Sequence, residues 1–392
     1  MSYRIFKYQG ARNVELILKG KAYRVGGQGM KSSYIENQFN GKTTKEILPI
    51  SDYVKATALA VDYINKNNIR VDAIGHRFVH GGEYFKRSVL LDRTSLKRME
   101  RCLPLAPLHN PISMNIIKET IRMFPRVPQY AVIDSAFHSS IPAKAYTYPV
   151  PRRIIEQYQY RRYGFHGISC SYVCRHLSEF LKKSPGKINM IVCHLGTGGA
   201  SVTAIKKGCS VDTSMGFSPN SGLIMSTRSG DIDPMVVVSL MQISDFHSQE
   251  ISDLLNKRSG LLGISGFSSD ITDIIAFLGH KRFGKRAQLA FDMYVNRLKS
   301  YIGRYLMVLG GQVDALVFTD DIGVNNPLIR ESVCRSLCWA GIVIDKKKNE
   351  KVSREQTVSI QSSSSKIAVV TMPTEEEMMI CLEGARLLKG CR

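Results

Sequence analysis

Apolar and polar positions change their spacing along this chain, and the changes mark the elements that it predicts. Residues 188–194 form an apolar run that ends at a glycine-rich turn, and residues 200–205 alternate small and β-branched side chains. After a Lys-Lys-Gly turn, residues 209–213 form a further short run. Short runs of this kind, separated by polar turns, predict three consecutive strands.

A strand, a loop and a helix recur in the same order elsewhere. Residues 313–318 predict a buried strand, residues 319–326 a loop and residues 327–337 a helix. Other runs follow a similar order: a strand at 366–372, a turn at 373–374 and a helix at 375–388, and upstream two strands at 71–75 and 128–133 with a helix at 112–123. This mixture is typical of the α/β class and predicts two α/β domains that face a cleft.

Composition limits the class of protein. The chain has 392 residues, of which 44% are hydrophobic and 22% charged, as in globular proteins of two ordinary domains. No apolar run approaches the roughly 18 residues of a membrane span, and the N-terminus lacks the apolar core of a signal peptide. Among the nine cysteines, Cys170 and Cys174, like Cys334 and Cys338, are spaced for the buried stripe of a helix. Reduced structural cysteines predict a cytoplasmic protein. Since no membrane span is found, we also expect that the protein does not bind a membrane.

The net charge of +21 allows two interpretations. One is an anionic partner such as nucleic acid. The other is a dispersed, solvated surface. The basic residues run through the whole chain, and the densest patch, Lys346-Lys347-Lys348, falls in a predicted loop without aromatic neighbours. We therefore expect no nucleic-acid partner.

Three glycine-bearing loops carry the candidate chemistry. Residues 163–167 contain His166, residues 194–201 offer backbone N–H groups that side chains shield little, and residues 227–234 contain Arg228 beside carboxylates. Cations and N–H donors around three equatorial oxygens are what phosphoryl transfer requires. The loops together favour a phosphotransferase.

Further candidates follow the upstream strands. Arg77 could clamp a carboxylate or phosphate through two hydrogen bonds, or form a structural salt bridge. Asp134 could act as a base or orient a charge, or it could cap a helix. His109 lies in a proline-marked loop, where functional side chains are common.

These loops resemble the motifs of the acetate kinase family, which includes propionate and butyrate kinases. The similarity is carried by residues 75–83, 105–111, 134–138, 162–167, 194–201, 211–216 and 227–234, and it extends from about residue 70 to the C-terminus. The resemblance implies an actin-like fold, with residues 1–136 plus 377–392 in one domain and 137–376 in the other. It also implies transfer of phosphate from ATP to acetate with Mg²⁺, and a homodimer.

The resemblance assigns roles to individual positions. It implies catalytic roles for Asp134, His166 and Arg228, a metal-binding role for Glu376, and substrate binding by Arg77, Val79, Leu108, His109, Phe165 and Pro219. For the nucleotide, it implies Arg4, His194, Leu195, Gly196, Thr197, Gly198, Asp270, Ile271, Thr272, Asp320, Asp321, Ile322, Gly323 and Val324.

The departures from the family motifs fall on the nucleotide side. Thr197 stands where the family has asparagine, Thr272 where it has arginine, and Val324 where it has glutamate. Asp320 and Asp321 replace a small pair, and two carboxylates there should repel phosphates. We therefore expect weakened ATP binding.

The family also begins with a strand and an Asn-x-Gly-Ser-Ser-Ser loop, of which only the end is matched, at residues 2–4. We expect the first, central strand of the actin-like sheet to be missing. The alternatives are therefore a propionate kinase, a relative that uses pyrophosphate, and a catalytically impaired family member that serves as a binding protein.

Overall fold

A computed structural model describes residues 1–10, 13–27, 32–243 and 246–389. Its strands are β1 (Ser2–Gly10), β2 (Asn13–Tyr23), β3 (Tyr34–Phe39), β4 (Lys42–Ile47), β5 (Ile74–Phe78), β6 (Val89–Leu90), β7 (Gln129–Ile133), β8 (Met190–Gly196), β9 (Gly199–Lys206), β10 (Cys209–Thr213), β11 (Ala315–Thr319), β12 (Val358–Ser359) and β13 (Ala368–Met372).

Helices alternate with these strands along most of the chain, which confirms the mixed α/β class. They are α1 (Tyr53–Lys66), α2 (Arg93–Arg101), α3 (Asn110–Met123), α4 (Ala143–Tyr146), α5 (Arg152–Tyr158), α6 (Gly167–Phe180), α7 (Pro234–Ile243), α8 (Ser248–Lys257), α9 (Gly260–Ser265), α10 (Ile271–Ala276), α11 (Gly284–Val308), α12 (Asp320–Asn325), α13 (Pro327–Cys334), α14 (Lys346–Glu350) and α15 (Glu376–Lys389).

The chain divides into two compact units. Unit 1 comprises Met1–Ala136 and Glu375–Arg392, and unit 2 comprises Phe137–Thr374. Unit 1 contains an antiparallel sheet in the order β1-β2-β3-β4 and a second sheet in the order β5-β7-β6, in which β5 and β7 are parallel. Among the described residues, β1 and β5 are therefore edge strands of separate sheets. Helix α15 packs against both of them.

In the described part of unit 1, an apolar cluster lies at each sheet. The first gathers Phe78, Met99, Ile117 and their neighbours around β5 and β7. The second lies under the antiparallel sheet around Ile35. The strand β4 is exposed along its whole length, as is typical of a solvated edge strand.

Unit 2 is built on a six-stranded sheet in the order β10-β9-β8-β11-β13-β12. The strands β8, β11 and β13 are parallel, and every residue of β8 and β11 is buried. Continuous burial explains their uninterrupted apolar sequences, because a central parallel strand is covered on both faces. Helix α11 buries a stripe of residues at helical spacing, including Phe291, Leu298 and Tyr305.

Several predicted elements differ from the observed ones. The predicted loop at 319–326 is mostly the short helix α12, and Lys346–Glu350 form α14 instead of a loop, because Asp345 accepts a hydrogen bond from the Lys348 N–H and caps that helix. Arg77 lies inside β5 instead of after a strand. Cys170, Cys174 and Cys334 are buried as predicted, but Cys338 is exposed beyond the end of α13.

Two further findings concern the described part of the chain. Its cysteines are free thiols. None of its helices combines the length and apolar character that a membrane crossing requires.

Candidate active site

In unit 1, the carboxyl ends of two parallel strands bring a cation and an anion together. Arg77 pairs in register with Val132, and Phe78 with Ile133, so that Asp134 follows directly at the end of β7. The Arg77 Nη2 atom lies 3.0 Å from the Asp134 Oδ2 atom. The Asp134 side chain is fully buried, whereas 42% of the Arg77 side chain is exposed. The carboxylate of Asp134 raises the pKa of Arg77, so this guanidinium is a fixed and accessible positive charge.

The first turn of α15 adds a second carboxylate to this cluster. The Glu376 Oε2 atom lies 3.7 Å from the Arg77 Nε atom. On either side of Glu376, Glu375 and Glu377 pair with Arg4 of β1. Arg4, which the resemblance assigns to the nucleotide, is thus held by two carboxylates at the start of α15.

The loop after β5 is held by buried polar contacts. The Gly81 N–H donates to the Ser135 Oγ atom at 3.1 Å, and the Asn110 side chain bonds both the N–H and the C=O of His80. Val79 on this loop is buried, whereas 60% of Leu108 is exposed. His109 precedes the first residue of α3, and its side chain makes no capping bond there.

In unit 2, the register of the sheet places three strand ends side by side. Thr319 of β11 pairs with His194 of β8 on one side and with Met372 of β13 on the other. The glycine-rich turn after β8 therefore lies next to the first turn of α12. Adjacent carboxyl ends of parallel strands are the usual position of ligand sites in open α/β sheets.

Two histidines stack at this edge of the sheet. The rings of His166 and His194 are 4.1 Å apart. The His166 Nδ1 atom bonds the Ser201 hydroxyl at 2.9 Å, and the His194 Nδ1 atom bonds the Ser169 hydroxyl at 2.9 Å. His166 adopts a left-handed backbone, with φ of 58°, immediately before α6. Each ring is therefore held through its Nδ1 atom by a serine hydroxyl.

Arg228 converges with His166 on the glycine-rich turn. A Cβ atom at Gly199 would lie 3.2 Å from the Arg228 Nη1 atom and 3.4 Å from the His166 Nε2 atom. A side chain at this position would press against both groups, whereas glycine leaves the backbone uncovered. Arg228 is half-buried, and this burial lowers the pKa of its guanidinium. A guanidinium and an imidazole beside an uncovered backbone can surround a small anion.

The first turn of α12 brings two carboxylates to the same turn. The Asp320 Oδ2 atom lies 3.0 Å from the His194 Nε2 atom. The Asp321 Oδ1 atom accepts from the Thr197 N–H at 2.9 Å, and the Thr197 hydroxyl donates to the Asp321 Oδ2 atom. The turn at residues 194–198 and the first turn of α12 are thus joined by polar contacts within unit 2.

The segment 270–272, Phe165 and Pro219 are further predicted residues. Asp270 caps α10 by accepting from the Thr272 N–H, and Ile271 is buried. Phe165 is buried, and its carbonyl accepts from His138. Pro219 is partly exposed in the loop after β10. Their assigned substrate and nucleotide roles stay predictions.

A resident metal cage is not present in the part of the chain that the structure describes, where three metal-ligating side chains are nowhere clustered. Magnesium that arrives with a nucleotide needs only one or two protein carboxylates, because phosphates and water complete its shell. The partly exposed Glu376 fits this modest requirement.

The sequence interpretation missed several residues that hold the site in place. Ser169 and Ser201 orient the two histidines, and Arg330 bonds the Gly323 and Val324 carbonyls of α12. Ser201 lies at the end of the 194–201 loop but was not singled out, and Ser169 lies in a segment for which no element was predicted. An arginine in an apolar helix was the one available signal for Arg330.

Comparison with known proteins agrees with this geometry. The model of the Acetokinase family matches residues 4–382. The acetate kinase of Caldicellulosiruptor saccharolyticus is 43% identical over an alignment of 380 residues that covers 95% of this chain and 94% of that protein.

Solved structures give the same result. The crystal structure of Porphyromonas gingivalis acetate kinase has a TM-score of 0.89 at 36% identity and covers 99% of this chain and 96% of its own. That of a propionate kinase from Francisella tularensis has a TM-score of 0.86 at 34% identity and covers 94% and 92%. These neighbours have the actin-like fold, and the family predicted from the motifs is confirmed. The chain belongs to the acetokinase family.

Proposed function

We propose that this protein transfers the γ-phosphoryl group of ATP to the carboxylate of acetate, forming acetyl phosphate and ADP. The observation that carries the proposal is the convergence of the Arg228 Nη1 and His166 Nε2 atoms over Gly199. A transferring phosphoryl group spreads its charge over three equatorial oxygens, and these two side chains offer donors to them. Family membership supplies the reaction class.

Arg77 is our candidate for holding the acceptor carboxylate. Its partly exposed guanidinium is fixed by the buried Asp134, and planar guanidinium groups bind carboxylates through two bonds. The carboxylate of acetate is already a nucleophile, so the protein needs to align it, not deprotonate it. In this account Asp134 acts by orienting Arg77.

For the acyl methyl group, we propose Val79, Leu108, Phe165 and Pro219 as contacts, and His109 as a further substrate contact. A single methylene in such a pocket is worth about 1–3 kcal/mol, so a preference between acetate and propionate can be small. Because the chain is also similar to a propionate kinase, we propose propionate as a second acceptor.

Magnesium is the proposed companion of ATP, with Glu376 holding it through water. The ion would supply positive charge beside the β- and γ-phosphate oxygens. Residues 194–198, 270–272 and 320–324, with Arg4, are the proposed nucleotide contacts.

We also propose that units 1 and 2 correspond to the two actin-like domains of the family, and that the protein is a homodimer. Helix α7 supports the second point. It buries none of its residues, and Met235, Val236, Met241 and Ile243 expose 44–81% of their surface. An apolar helix of this kind is typical of an association surface.

The test is an initial-rate assay with hydroxylamine trapping of acyl phosphate. Acetate, propionate and butyrate are each offered with magnesium and either ATP or pyrophosphate. We expect acyl phosphate from acetate or propionate with ATP at millimolar concentration. Formation only with pyrophosphate would replace the donor, and no acyl phosphate under any condition would support the impaired family member instead.

A further inference from the structure

The carboxylates of Asp320 and Asp321 collect hydrogen-bond donors in the way that a bound anion would. Asp321 accepts from the Thr197 N–H, the Thr197 hydroxyl and the Ile322 N–H, the last at 2.7 Å. Asp320 accepts from the Asp321 N–H at 2.8 Å and lies 3.0 Å from the His194 Nε2 atom. Most of these groups are backbone N–H donors and an imidazole nitrogen, which are the groups that bind phosphates in glycine-rich turns.

We propose that Asp320 and Asp321 are internal occupants of a polyphosphate site, which an incoming nucleoside triphosphate must displace. The proposal rests on the proposed function, because it takes the 194–198 turn as the nucleotide-phosphate site. It adds that the two aspartates set the affinity for the phosphoryl donor while leaving the acceptor side unchanged.

Displacement requires only side-chain rotation at the surface. A third of the Asp320 side chain is exposed, and Thr197 and Asp321 are also exposed, so water reaches these contacts. The helix that carries the aspartates is fixed separately. Arg330 is buried and donates to the Gly323 carbonyl at 2.8 Å and the Val324 carbonyl at 2.7 Å. The far end of α12 can therefore stay in place while its first turn releases the loop.

The backbone of Asp320 favours the same interpretation. Its φ of 65° lies in the left-handed region, which glycine adopts at a lower conformational cost than aspartate. The carboxylate also occupies the space over Gly196 that a side chain there would need. Replacement of Asp320 by glycine should thus relieve strain at the same time as it frees the donor of His194.

The test measures binding of two probes, magnesium-ATP and inorganic tripolyphosphate, to the full chain by titration calorimetry. The variants are Asp321→Asn, which removes charge but keeps shape, and the double variant Asp320→Gly with Asp321→Gly. A charge-matched control replaces two exposed carboxylates elsewhere in unit 2, Glu350→Gln with Glu355→Gln. Thermal unfolding of each protein checks that it is folded.

The double variant frees the donors that the aspartates occupy and removes their negative charge. Its Kd for both probes should therefore be lower by about 10-fold to 100-fold. Asp321→Asn should fall between it and the wild type, and the control should change less than about 2-fold. An unchanged or raised Kd for both probes in a folded double variant overturns the proposal, as does an equal gain in the control.

Turnover separates this proposal from the proposed function. Tighter binding of both probes without acyl phosphate formation supports the internal occupants and contradicts the kinase activity. Acyl phosphate formation with unchanged Kd values in every variant supports the kinase activity and contradicts the internal occupants.

Discussion

The two units place charged side chains at the same point of their sheets, the carboxyl ends of adjacent parallel strands, but they use carboxylates differently. In unit 1, Asp134 is fully buried and holds Arg77, whose side chain stays 42% exposed. In unit 2, Asp321 is exposed and Asp320 is half-buried, and both bind donors of the glycine-rich turn. Asp134 holds the Arg77 guanidinium in position to bind an anion. Asp320 and Asp321 instead occupy the position of an anion.

Burial explains the difference. A fully buried carboxylate must keep its partner, because an unpaired charge in the interior is costly. An exposed carboxylate can return to water and loses little, since surface ion pairs contribute about 0–1 kcal/mol. The contacts in unit 1 are therefore permanent, and those around Thr197 are replaceable.

We expect the largest effect from a variant of Arg228, which tests whether unit 2 catalyses phosphoryl transfer although Asp320 and Asp321 occupy nearby donors. Replacement of Arg228 by alanine should lower kcat by about 10²–10³-fold, the usual result of losing one donor to a developing charge. The measurement is the initial rate of acyl phosphate formation at saturating substrates. The matched control is Arg335→Ala, on an exposed ion pair of α13. A kcat within about 3-fold of wild type would remove Arg228 from the chemistry.

The next effect concerns the helix that presents the aspartates. Replacement of Arg330 by methionine leaves the Gly323 and Val324 carbonyls without their buried donor. Burial lowers the pKa of Arg330 to about 10, which still leaves it charged at neutral pH, so the variant loses charge-assisted hydrogen bonds to both carbonyls. The free energy of unfolding should fall by about 3 kcal/mol in denaturant titrations. The exposed Arg335→Met should change it by less than about 0.5 kcal/mol, and equal losses would contradict this role.

In unit 1, the corresponding test is Asp134→Asn. The variant keeps the shape but loses the charge that fixes Arg77, and a hydrogen bond to a charged group is worth about 1.5–3 kcal/mol. We expect kcat/KM for acetate to fall by about 10-fold to 100-fold, with the KM for ATP unchanged. Glu100→Gln, on an exposed pair with Lys118, is the control. A raised KM for ATP instead of acetate would reverse the assignment of the two sides.

The smallest effect is a pH dependence of unit 1. His76 lies beside Arg77 on β5, and burial lowers its pKa from 6.5 to about 4. Below pH 6.5 the unfolded chain binds a proton that the folded chain refuses, so the folded state loses stability as the pH falls towards 4. This contribution should reach about 1–2 kcal/mol at pH 5.

The measurement is the free energy of unfolding of wild type and His76→Gln at pH 7 and pH 5. Carboxylates titrate in both proteins, so the difference between them isolates His76. The variant should lose less stability on acidification. Equal losses in the two proteins would show that His76 is protonated freely in the folded state.

Much of the fold could be predicted from the sequence, but only where a short apolar run of residues indicates a buried strand. The strands at 188–213 and 313–318 were predicted because central strands are continuously apolar and end at polar turns. The helix α12 was predicted as a loop, since Thr319-Asp320-Asp321 carries no apolar period. The antiparallel sheet of residues 2–47 was not predicted, because its outer strand is exposed along its whole length.

The candidate site divides in the same way. Arg77, Asp134, His166 and Arg228 stand in recognisable motifs, and the structure brings the members of each unit together. The stacking of His166 on His194 depends on tertiary structure, which no local pattern reports. The absence of a first central strand stays a prediction.

The most direct test of the contrast between the units varies ATP and acetate independently in steady-state kinetics. The proteins are the wild type and the double variant Asp320→Gly with Asp321→Gly. The account predicts that the KM for ATP falls by about 10-fold or more in the variant while the KM for acetate stays within about 2-fold. An unchanged KM for ATP, or an equal change in both constants, would contradict it.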